Sequence, residues 1–237
     1  MTNMLKRKKQ PLQNVARKLV TNENPKSIVS EQFRTVRTNI NFSMPDKELK
    51  TLLFTSSSPG EGKSTSAANV AIVFAQEGKK VLLVDADMRK PTMHYTFHTT
   101  NTTGLSNLLT KQWMLEEVTK VTKVDGLHLI TSGPIPPNPA ELIGSNSMGT
   151  LIETLKSQYD IVIFDAPPLL SVADAQILSN KCDGTILVIN AGTTEKDSVV
   201  KAKESLVSAK ANILGTLMNN FKLEKDHYYY QYYGTGE

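Results

Sequence analysis

The chain has 237 residues, of which 39% are hydrophobic, and its 27 basic and 23 acidic residues give a net charge of +4. This length and apolar content suit one large domain with a substantial core and make a second full domain unexpected. No apolar run approaches the roughly 20 residues that span a bilayer, which predicts a cytoplasmic or membrane-peripheral protein.

The first 24 residues are predicted to form a flexible basic arm. Residues 1–22 contain six basic residues and no acidic residue. Such an arm can bind anionic lipid, bind nucleic acid or stay solvated, and the sequence leaves these three alternatives open. The predicted organisation is an arm over 1–24, a folded domain over 25–225 and a mobile tail over 226–237.

The next segment is predicted to be an amphipathic helix with a row of charged side chains. Over residues 27–40, apolar side chains recur at near-helical spacing, and Glu31, Arg34 and Arg37 follow one another at steps of three. The three charged residues therefore share one face of the helix. They can form a solvated face or pair with the same row of a neighbouring subunit, and the spacing alone favours the solvated face.

An apolar strand that runs into a phosphate-binding loop is the most informative motif in the chain. Residues 51–65 read TLLFTSSSPGEGKST and match the pattern G-x-x-x-x-G-K-[ST], except that Ser57 replaces the first glycine. In such a loop the backbone N–H groups cradle a polyphosphate, the lysine reaches the β- and γ-phosphates, and the next hydroxyl binds Mg²⁺. The predicted phosphate-binding residues are Ser58, Gly60, Glu61, Gly62, Lys63, Ser64 and Thr65.

Two later strands are predicted to end in acidic residues. The strand at residues 80–84 leads into Asp85 and Asp87, and the strand at residues 159–164 leads into Asp165. Because ligands bind at the carboxyl ends of strands in doubly wound sheets, these carboxylates are expected beside the phosphate-binding loop. Burying three uncompensated acids there would be costly, so the pattern predicts a bound cation such as Mg²⁺.

The remaining strands complete an α/β pattern. Strands are predicted at residues 127–131, 184–190 and 213–218, with a charged helix at about 195–210. Alternating strands and helices predict a doubly wound, mostly parallel sheet with helices on both faces, which is the fold class of P-loop NTPases. Asn219, after the last strand, is a candidate to hydrogen-bond the adenine base, and a turn role is the alternative.

The chain closes with a tyrosine-rich segment. Residues 227–237 read HYYYQYYGTGE and hold five of the seven tyrosines of the protein. Five phenol groups crowded beside two glycines at a terminus cannot be buried together, so the segment is predicted to be mobile and exposed. It either stacks on a partner or serves as a substrate. The tyrosines are Tyr228, Tyr229, Tyr230, Tyr232 and Tyr233.

These motifs, the charged helix and the tyrosine tail together resemble the bacterial tyrosine kinases of exopolysaccharide and capsule synthesis, in particular their soluble Gram-positive type. The resemblance covers residues 25–237. In that family the loop ending at Ser64 is the Walker A motif, VDADMR over 84–89 is the Walker A′ motif, and IVIFD over 161–165 is the Walker B motif. The charged row matches a motif used in ring-shaped self-assembly, and the tail matches an autophosphorylated segment.

The resemblance implies a non-specific protein-tyrosine kinase that transfers the γ-phosphoryl group of MgATP to tyrosine hydroxyls. It implies that Lys63 holds the phosphates and that Asp85 is the base that orients the tyrosine. It further implies that Ser64 and Asp87 bind Mg²⁺ directly, and that Asp165 binds it through water.

The same resemblance implies several partners and a location. They are a membrane adaptor of the polysaccharide co-polymerase type, a homo-oligomeric ring, protein substrates such as sugar-nucleotide dehydrogenases, and a cognate tyrosine phosphatase. The protein is then expected in the cytoplasm, held at the membrane through the adaptor. The alternative is a ParA- or MinD-like nucleotide-switched positioning ATPase. Those relatives carry a second lysine at the position of Ser58, and its absence here favours the kinase.

Overall fold

The computed structural model describes residues 16–45 and 47–221. Within this part of the chain there are seven strands and ten helices, and no helix is long and apolar enough to cross a bilayer. The strands are β1 (Thr51–Ser56), β2 (Val81–Asp85), β3 (Lys120–Val121), β4 (Leu127–Ile130), β5 (Ile161–Asp165), β6 (Gly184–Asn190) and β7 (Ile213–Asn219). The helices are α1 (Val20–Glu23), α2 (Ile28–Phe42), α3 (Lys63–Gln76), α4 (Met93–Thr96), α5 (Leu105–Leu109), α6 (Leu115–Val118), α7 (Pro139–Gly144), α8 (Asn146–Gln158), α9 (Asp174–Ser179) and α10 (Lys196–Ser208).

The strands form one sheet in the order β3-β4-β2-β5-β1-β6-β7, in which β3 is antiparallel to β4 and the other pairs are parallel. This confirms the predicted doubly wound, mostly parallel sheet. Strands β1, β2 and β5 are buried along their whole length, as expected for strands covered on both faces. Because β5 lies between β1 and β2, the carboxyl ends of these three strands are neighbours.

Side chains of the central strands alternate between two cores. On β1, Leu52 and Phe54 face the core that contains α3, whereas Leu53 faces the core that contains residues of α8, α9 and α10. Helix α3 is buried along most of its length because it packs between the sheet and α2. Its alanine-rich and β-branched sequence is apolar on nearly all sides, as this position requires. The loop before α3 is thereby fixed at the edge of the sheet.

Residues 16–24, which the sequence placed in the flexible arm, are packed against the domain. Thr21 is fully buried, and its N–H and hydroxyl donate to Asn69 Oδ1 at 3.0 and 2.9 Å. The Asn69 amide donates in turn to the carbonyl oxygens of Lys18 and Thr65, both at 2.9 Å. The single helical turn of α1 is too short to show periodicity, which is why the sequence pattern missed it. The folded part of the chain therefore begins earlier than predicted.

Replacement of Asn69 by alanine is expected to release this segment. The change removes four hydrogen bonds of a largely buried site and leaves the buried N–H of Thr21 unpaired, so we expect a loss of about 3 kcal/mol in unfolding free energy. Urea unfolding measures the loss, and limited proteolysis within residues 16–24 reports the release.

Asn41→Ala, at an exposed position of α2, is the matched control and should change stability by less than about 0.5 kcal/mol. If the Asn69 and Asn41 variants unfold alike and are cleaved alike, the segment is not anchored as described.

The charged row of α2 has partners within the chain. Arg34 pairs with Glu31 and donates to the Pro25 carbonyl at 2.9 Å. Arg37 donates to the Val73 carbonyl of α3, also at 2.9 Å. Arg37 thus holds α2 on α3, while the Glu31 side chain remains 64% exposed.

Candidate active site

A cleft of about 670 Å³ lies at the carboxyl edge of the sheet, where the segments after β1, β2, β5 and β7 meet. Its volume is in the range of small-molecule sites. Of the predicted site residues, it is lined by Gly60, Gly62, Lys63, Ser64, Thr65, Asp87 and Asn219. Lining residues that the sequence analysis did not select include Arg17, Arg89, Lys90, Thr92, Pro167 and Pro168. The structure therefore brings most of the predicted loop together with one of the three aspartates in the cleft wall.

The turn into α3 requires a glycine. Gly62 has a φ of +95°, and a Cβ atom there would lie 2.0 Å from the Asn219 Nδ2 atom. The Asn219 amide donates to the Glu61 carbonyl at 3.2 Å. Asn219 therefore ties the end of β7 to the loop in addition to lining the cleft.

The side chain of Glu61 holds the loop from inside the protein and does not line the cleft. It is 4% exposed, and it accepts hydrogen bonds from the Ser57 N–H at 2.9 Å and the Ser57 hydroxyl at 2.6 Å. The Thr194 hydroxyl donates to it at 2.9 Å. Ser57, the departure from the glycine pattern, is thus a structural part of the loop. Sequence reasoning missed this network because Thr194 is distant in the chain and belongs to no motif.

Lys63 begins α3, and its ammonium lies among polar groups of the other motifs. Its Nζ atom is 3.1 Å from Asp87 Oδ2, 3.3 Å from Asp165 Oδ1 and 3.3 Å from Ser64 Oγ. Burial disfavours the charged form, but the charges of Asp165 and Asp87 outweigh it and raise the pKa of Lys63. A positive charge is therefore maintained at a helix N-terminus, where anions bind well.

Asp85 and Asp87 differ in their surroundings. Asp85 is fully buried and does not line the cleft, and its Oδ2 accepts hydrogen bonds from the N–H groups of Thr92 and Met93 at 3.1 and 3.0 Å. Its Oδ1 accepts the Asp87 N–H at 3.2 Å. Burial, followed by the charge of Asp165, raises the pKa of Asp85 to about 7. Asp85 shapes the segment that presents Asp87 and does not itself line the cleft.

Asp165 ends β5 and is also fully buried. Burial raises its pKa, and the charge of Lys63 acts in the opposite direction. Its Oδ2 atom is closed to solvent and has no hydrogen-bond partner within the described residues. A buried carboxylate oxygen without a donor suits a ligand or a water molecule bound to a cation.

These residues fit a magnesium ion that is held mainly by phosphate and water. Ser64 and Asp87 line the cleft, and the free oxygen of Asp165 lies behind them. In residues 16–45 and 47–221 there is no group of three or more His, Cys, Asp or Glu side chains arranged to hold a metal. Mg²⁺ in nucleotide sites commonly uses one or two protein ligands, so the residues present are sufficient.

Arg89 makes an ion pair that local sequence could not reveal. Its Nε and Nη2 atoms donate to Asp174 at 2.9 and 3.0 Å, and Asp174 is fully buried in the first turn of α9. The partners are 85 positions apart. This two-bond contact fixes the segment after β2 on α9.

An Asp174→Asn variant is expected to lose about 2 kcal/mol of unfolding free energy, because the amide can accept only one of the two Arg89 bonds. The loss is limited because Arg89 is 39% exposed and water screens its charge. Urea unfolding of this variant should be compared with Asp125→Asn, which removes an exposed carboxylate. Equal stability of the two variants would show that the pair does not hold the segment.

The fold and the cleft define a P-loop nucleotide-binding protein. Comparison with known proteins agrees, since the family model described as an AAA domain matches residues 49–194, more than half of the chain. The tyrosine-protein kinase YwqD of Bacillus subtilis is 53% identical over 219 residues, which cover 92% of each chain. The chain therefore belongs to the AAA-domain P-loop family and, within it, to the bacterial tyrosine-protein kinases.

Solved structures are similar as well. The crystal structure of the chimerical protein CapA2B2 superimposes with a TM-score of 0.84 at 43% identity, covering 88% of this chain and 93% of that one. The septum site-determining protein MinD of Pyrococcus horikoshii, complexed with Mg-ADP, has a TM-score of 0.62 at 23% identity, covering 74% and 72%. The match to CapA2B2 supports membership of the tyrosine-protein kinases. The match to MinD shows a shared fold.

The predicted acceptor tyrosines lie outside the described residues. They are Tyr228, Tyr229, Tyr230, Tyr232 and Tyr233.

Proposed function

We propose that this tyrosine-protein kinase transfers the γ-phosphoryl group of ATP, with Mg²⁺, to its own C-terminal tyrosines and to other proteins. The observation that carries the proposal is the Lys63 ammonium, held 3.1 Å from Asp87 and 3.3 Å from Asp165 at the start of α3. Phosphoryl transfer depends on positioning and on charge neutralisation, and this constellation can supply both. The proposed acceptors are Tyr228, Tyr229, Tyr230, Tyr232 and Tyr233.

The residues of the cleft would bind and orient the reactants. The backbone of Gly60 to Thr65 and the Lys63 ammonium would hold the polyphosphate, and Asn219, which lines the cleft beside Gly62, would contact the base. Ser64 and Asp87 would hold Mg²⁺, with Asp165 acting through water. The bound ion supplies neutralisation of the phosphate charge.

We assign Asp85 a positioning role in place of the expected role of base. Both of its oxygen atoms accept backbone N–H groups of the segment that carries Asp87. It would act by fixing that segment, and Asp87, which lines the cleft, would be the carboxylate that contacts the reactants.

Self-assembly through α2 is part of the proposal. Glu31 and Arg34 lie at the surface and can exchange their mutual ion pair for one with a neighbouring subunit, whereas Arg37 would hold the helix in place. In a ring, the tail of one subunit can enter the cleft of the next. Each phosphotyrosine adds nearly two negative charges, so extensive phosphorylation would loosen the ring by repulsion.

The proposed setting is the control of exopolysaccharide or capsule synthesis at the membrane. A membrane adaptor of the polysaccharide co-polymerase type would activate the kinase and keep it at the membrane. Sugar-nucleotide dehydrogenases would be among its substrates, and a cognate tyrosine phosphatase would reset it. A similar protein was crystallised as a chimera, which is compatible with docking of the kinase to a second polypeptide.

The test is incubation of the full chain with γ-labelled ATP and Mg²⁺, with and without the cytoplasmic segment of an adaptor, followed by mapping of the label. We expect label on the tyrosine cluster, and its loss when all five tyrosines become phenylalanine while nucleotide binding is retained. Release of inorganic phosphate with no labelled protein in either condition would contradict the proposal and favour a positioning ATPase.

A further inference from the structure

The N-terminal segment brings an arginine to the cleft. Arg17 lines the cleft, and its backbone N–H donates to the Thr96 hydroxyl at 3.0 Å. That hydroxyl donates to the Thr92 carbonyl at 3.3 Å, and the Thr92 N–H donates to Asp85 at 3.1 Å. Arg17 is therefore joined by a short chain of hydrogen bonds to the segment that presents Asp87.

A second attachment fixes the same segment on α3. The Lys18 carbonyl accepts a hydrogen bond from the Asn69 amide, and the N–H and hydroxyl of Thr21 both donate to the side-chain oxygen of Asn69. Asn69 and Thr21 are fully buried. The same Asn69 amide donates to the Thr65 carbonyl in the first turn of α3. Two attachments thus fix the backbone at Arg17: its own N–H is bonded to Thr96, and the carbonyl of the next residue, Lys18, is bonded to Asn69. A solvated arm would need neither of them.

The charges around the cleft call for additional cations. Asp87 and Asp165 flank a single ammonium, that of Lys63, and a polyphosphate would add more negative charge than Lys63 and one Mg²⁺ ion offset. Arg89 is already paired with a buried carboxylate.

Two lining cations remain available to a ligand. Within the described residues, Arg17 and Lys90 each line the cleft, and neither side chain lies within ion-pair distance of a carboxylate. The Lys90 N–H donates to Asp87 at 3.0 Å, which fixes its backbone beside the site.

We propose that Arg17 and Lys90 form a second phosphate-binding subsite of the cleft, separate from the loop at Lys63. The subsite takes the phosphate of a bound ligand, either the nucleotide polyphosphate or a phosphotyrosine next to an acceptor tyrosine. The inference rests on the nucleotide cleft of the proposed function and adds to it a residue from outside the three nucleotide motifs. Arg17 suits the task because its guanidinium can donate two parallel bonds to one phosphate.

The test measures binding with the full-length protein. The variants are Arg17→Gln, Lys90→Gln and the double variant, and the probes are a fluorescent ATP analogue, the matching ADP analogue and a phosphotyrosine peptide with the tail sequence. We expect about a tenfold weaker affinity for at least one probe in Arg17→Gln, a larger loss in the double variant and a smaller dependence of binding on salt. Lys18→Gln is the matched control, since it removes a neighbouring exposed cation that does not line the cleft.

The three probes separate the two phosphate sources. A loss for ATP alone identifies the γ-phosphate, a loss for both nucleotides identifies the inner phosphates, and a loss for the peptide alone identifies phosphotyrosine. Arg17→Lys keeps the charge but loses the two parallel donors, so it should recover part of the lost affinity, which a general loosening of the segment would not allow. Affinities of Arg17→Gln equal to those of Lys18→Gln for all three probes would overturn the inference, even if the chain autophosphorylates. Conversely, an effect on binding in a chain that labels no tyrosine would leave the subsite standing and refute only the proposed acceptors.

Discussion

A Lys63→Met variant is expected to lose phosphoryl transfer to the tyrosine cluster by at least about a hundredfold, the usual cost of removing a charge-stabilising group from an active site. Lys63 is the one ammonium held between Asp87 and Asp165, and no other cation among the described residues lies within ion-pair distance of either carboxylate. Mapping of label from γ-labelled ATP measures the effect directly.

The same variant is also expected to be less stable when no nucleotide is bound. Removing Lys63 leaves the buried Asp165 without its counter-charge, and breaking a buried ion pair from one side costs about 3–5 kcal/mol. Urea unfolding in the presence of a chelator should show this loss, and added Mg²⁺ should reduce it by supplying a replacement cation.

Lys203→Met provides the matched control, because it removes an exposed lysine from α10 with the same change of charge. It should leave labelling and stability unchanged. Wild-type labelling in the Lys63 variant would mean that the phosphate-binding loop does not serve the transfer step in the way proposed.

The second large effect concerns Asp85, whose replacement should change the dependence of stability on pH. The folded-state pKa of Asp85 is about 7, above its ordinary value of 3.8. Between these two pH values the folded protein binds the extra proton, so the free energy of unfolding falls as pH rises and becomes constant above about pH 7. The difference in pKa corresponds to about 4 kcal/mol over the whole interval.

An Asp85→Asn variant cannot ionise at this position, and the corresponding part of the slope should disappear. The NH₂ group of the new amide must replace one of the two Asp85 oxygens, so it faces either the Asp87 N–H or the Thr92 and Met93 N–H groups, and two donors then oppose each other. This lowers the free energy of unfolding by an amount that does not depend on pH. Because this shifts the segment that carries Asp87, kinase activity should fall about a hundredfold.

Urea unfolding from pH 4.5 to 8 in the presence of a chelator tests the pH prediction. Asp160→Asn is the control, since Asp160 also accepts a backbone N–H but lies at an exposed position. Parallel stability curves for the wild type and the Asp85 variant would show that the buried carboxylate does not titrate in this range.

The sequence was most informative where function follows a local motif. The apolar strand before Lys63 predicted the phosphate-binding loop, and the acidic ends of β2 and β5 predicted a parallel sheet with aspartates beside that loop. In a parallel sheet these segments must meet at one edge, so the site could be predicted without knowing the strand order.

Contacts between distant positions were outside the reach of that reasoning. The hydrogen bond from Thr194 to Glu61 and the ion pair of Arg89 with Asp174 depend on strand order and helix packing, which no local pattern encodes. The composition of the first residues predicted a flexible arm, yet Thr21 is buried on α3. Only the hydrogen-bond partners and the lining of the cleft show that Asp85 shapes a turn while Asp87 faces the cleft.

The network of Ser57, Glu61 and Thr194 has a thermodynamic consequence for activation. It consists wholly of groups from this chain, so the hydrogen bonds that hold the loop in this conformation need no group from a ligand. ATP then loses little affinity to the entropic cost of ordering the loop, as expected for a preorganised site. For the activator proposed above, ordering this loop would contribute little, and delivery of an acceptor tyrosine to the bound nucleotide is a step on which it would act.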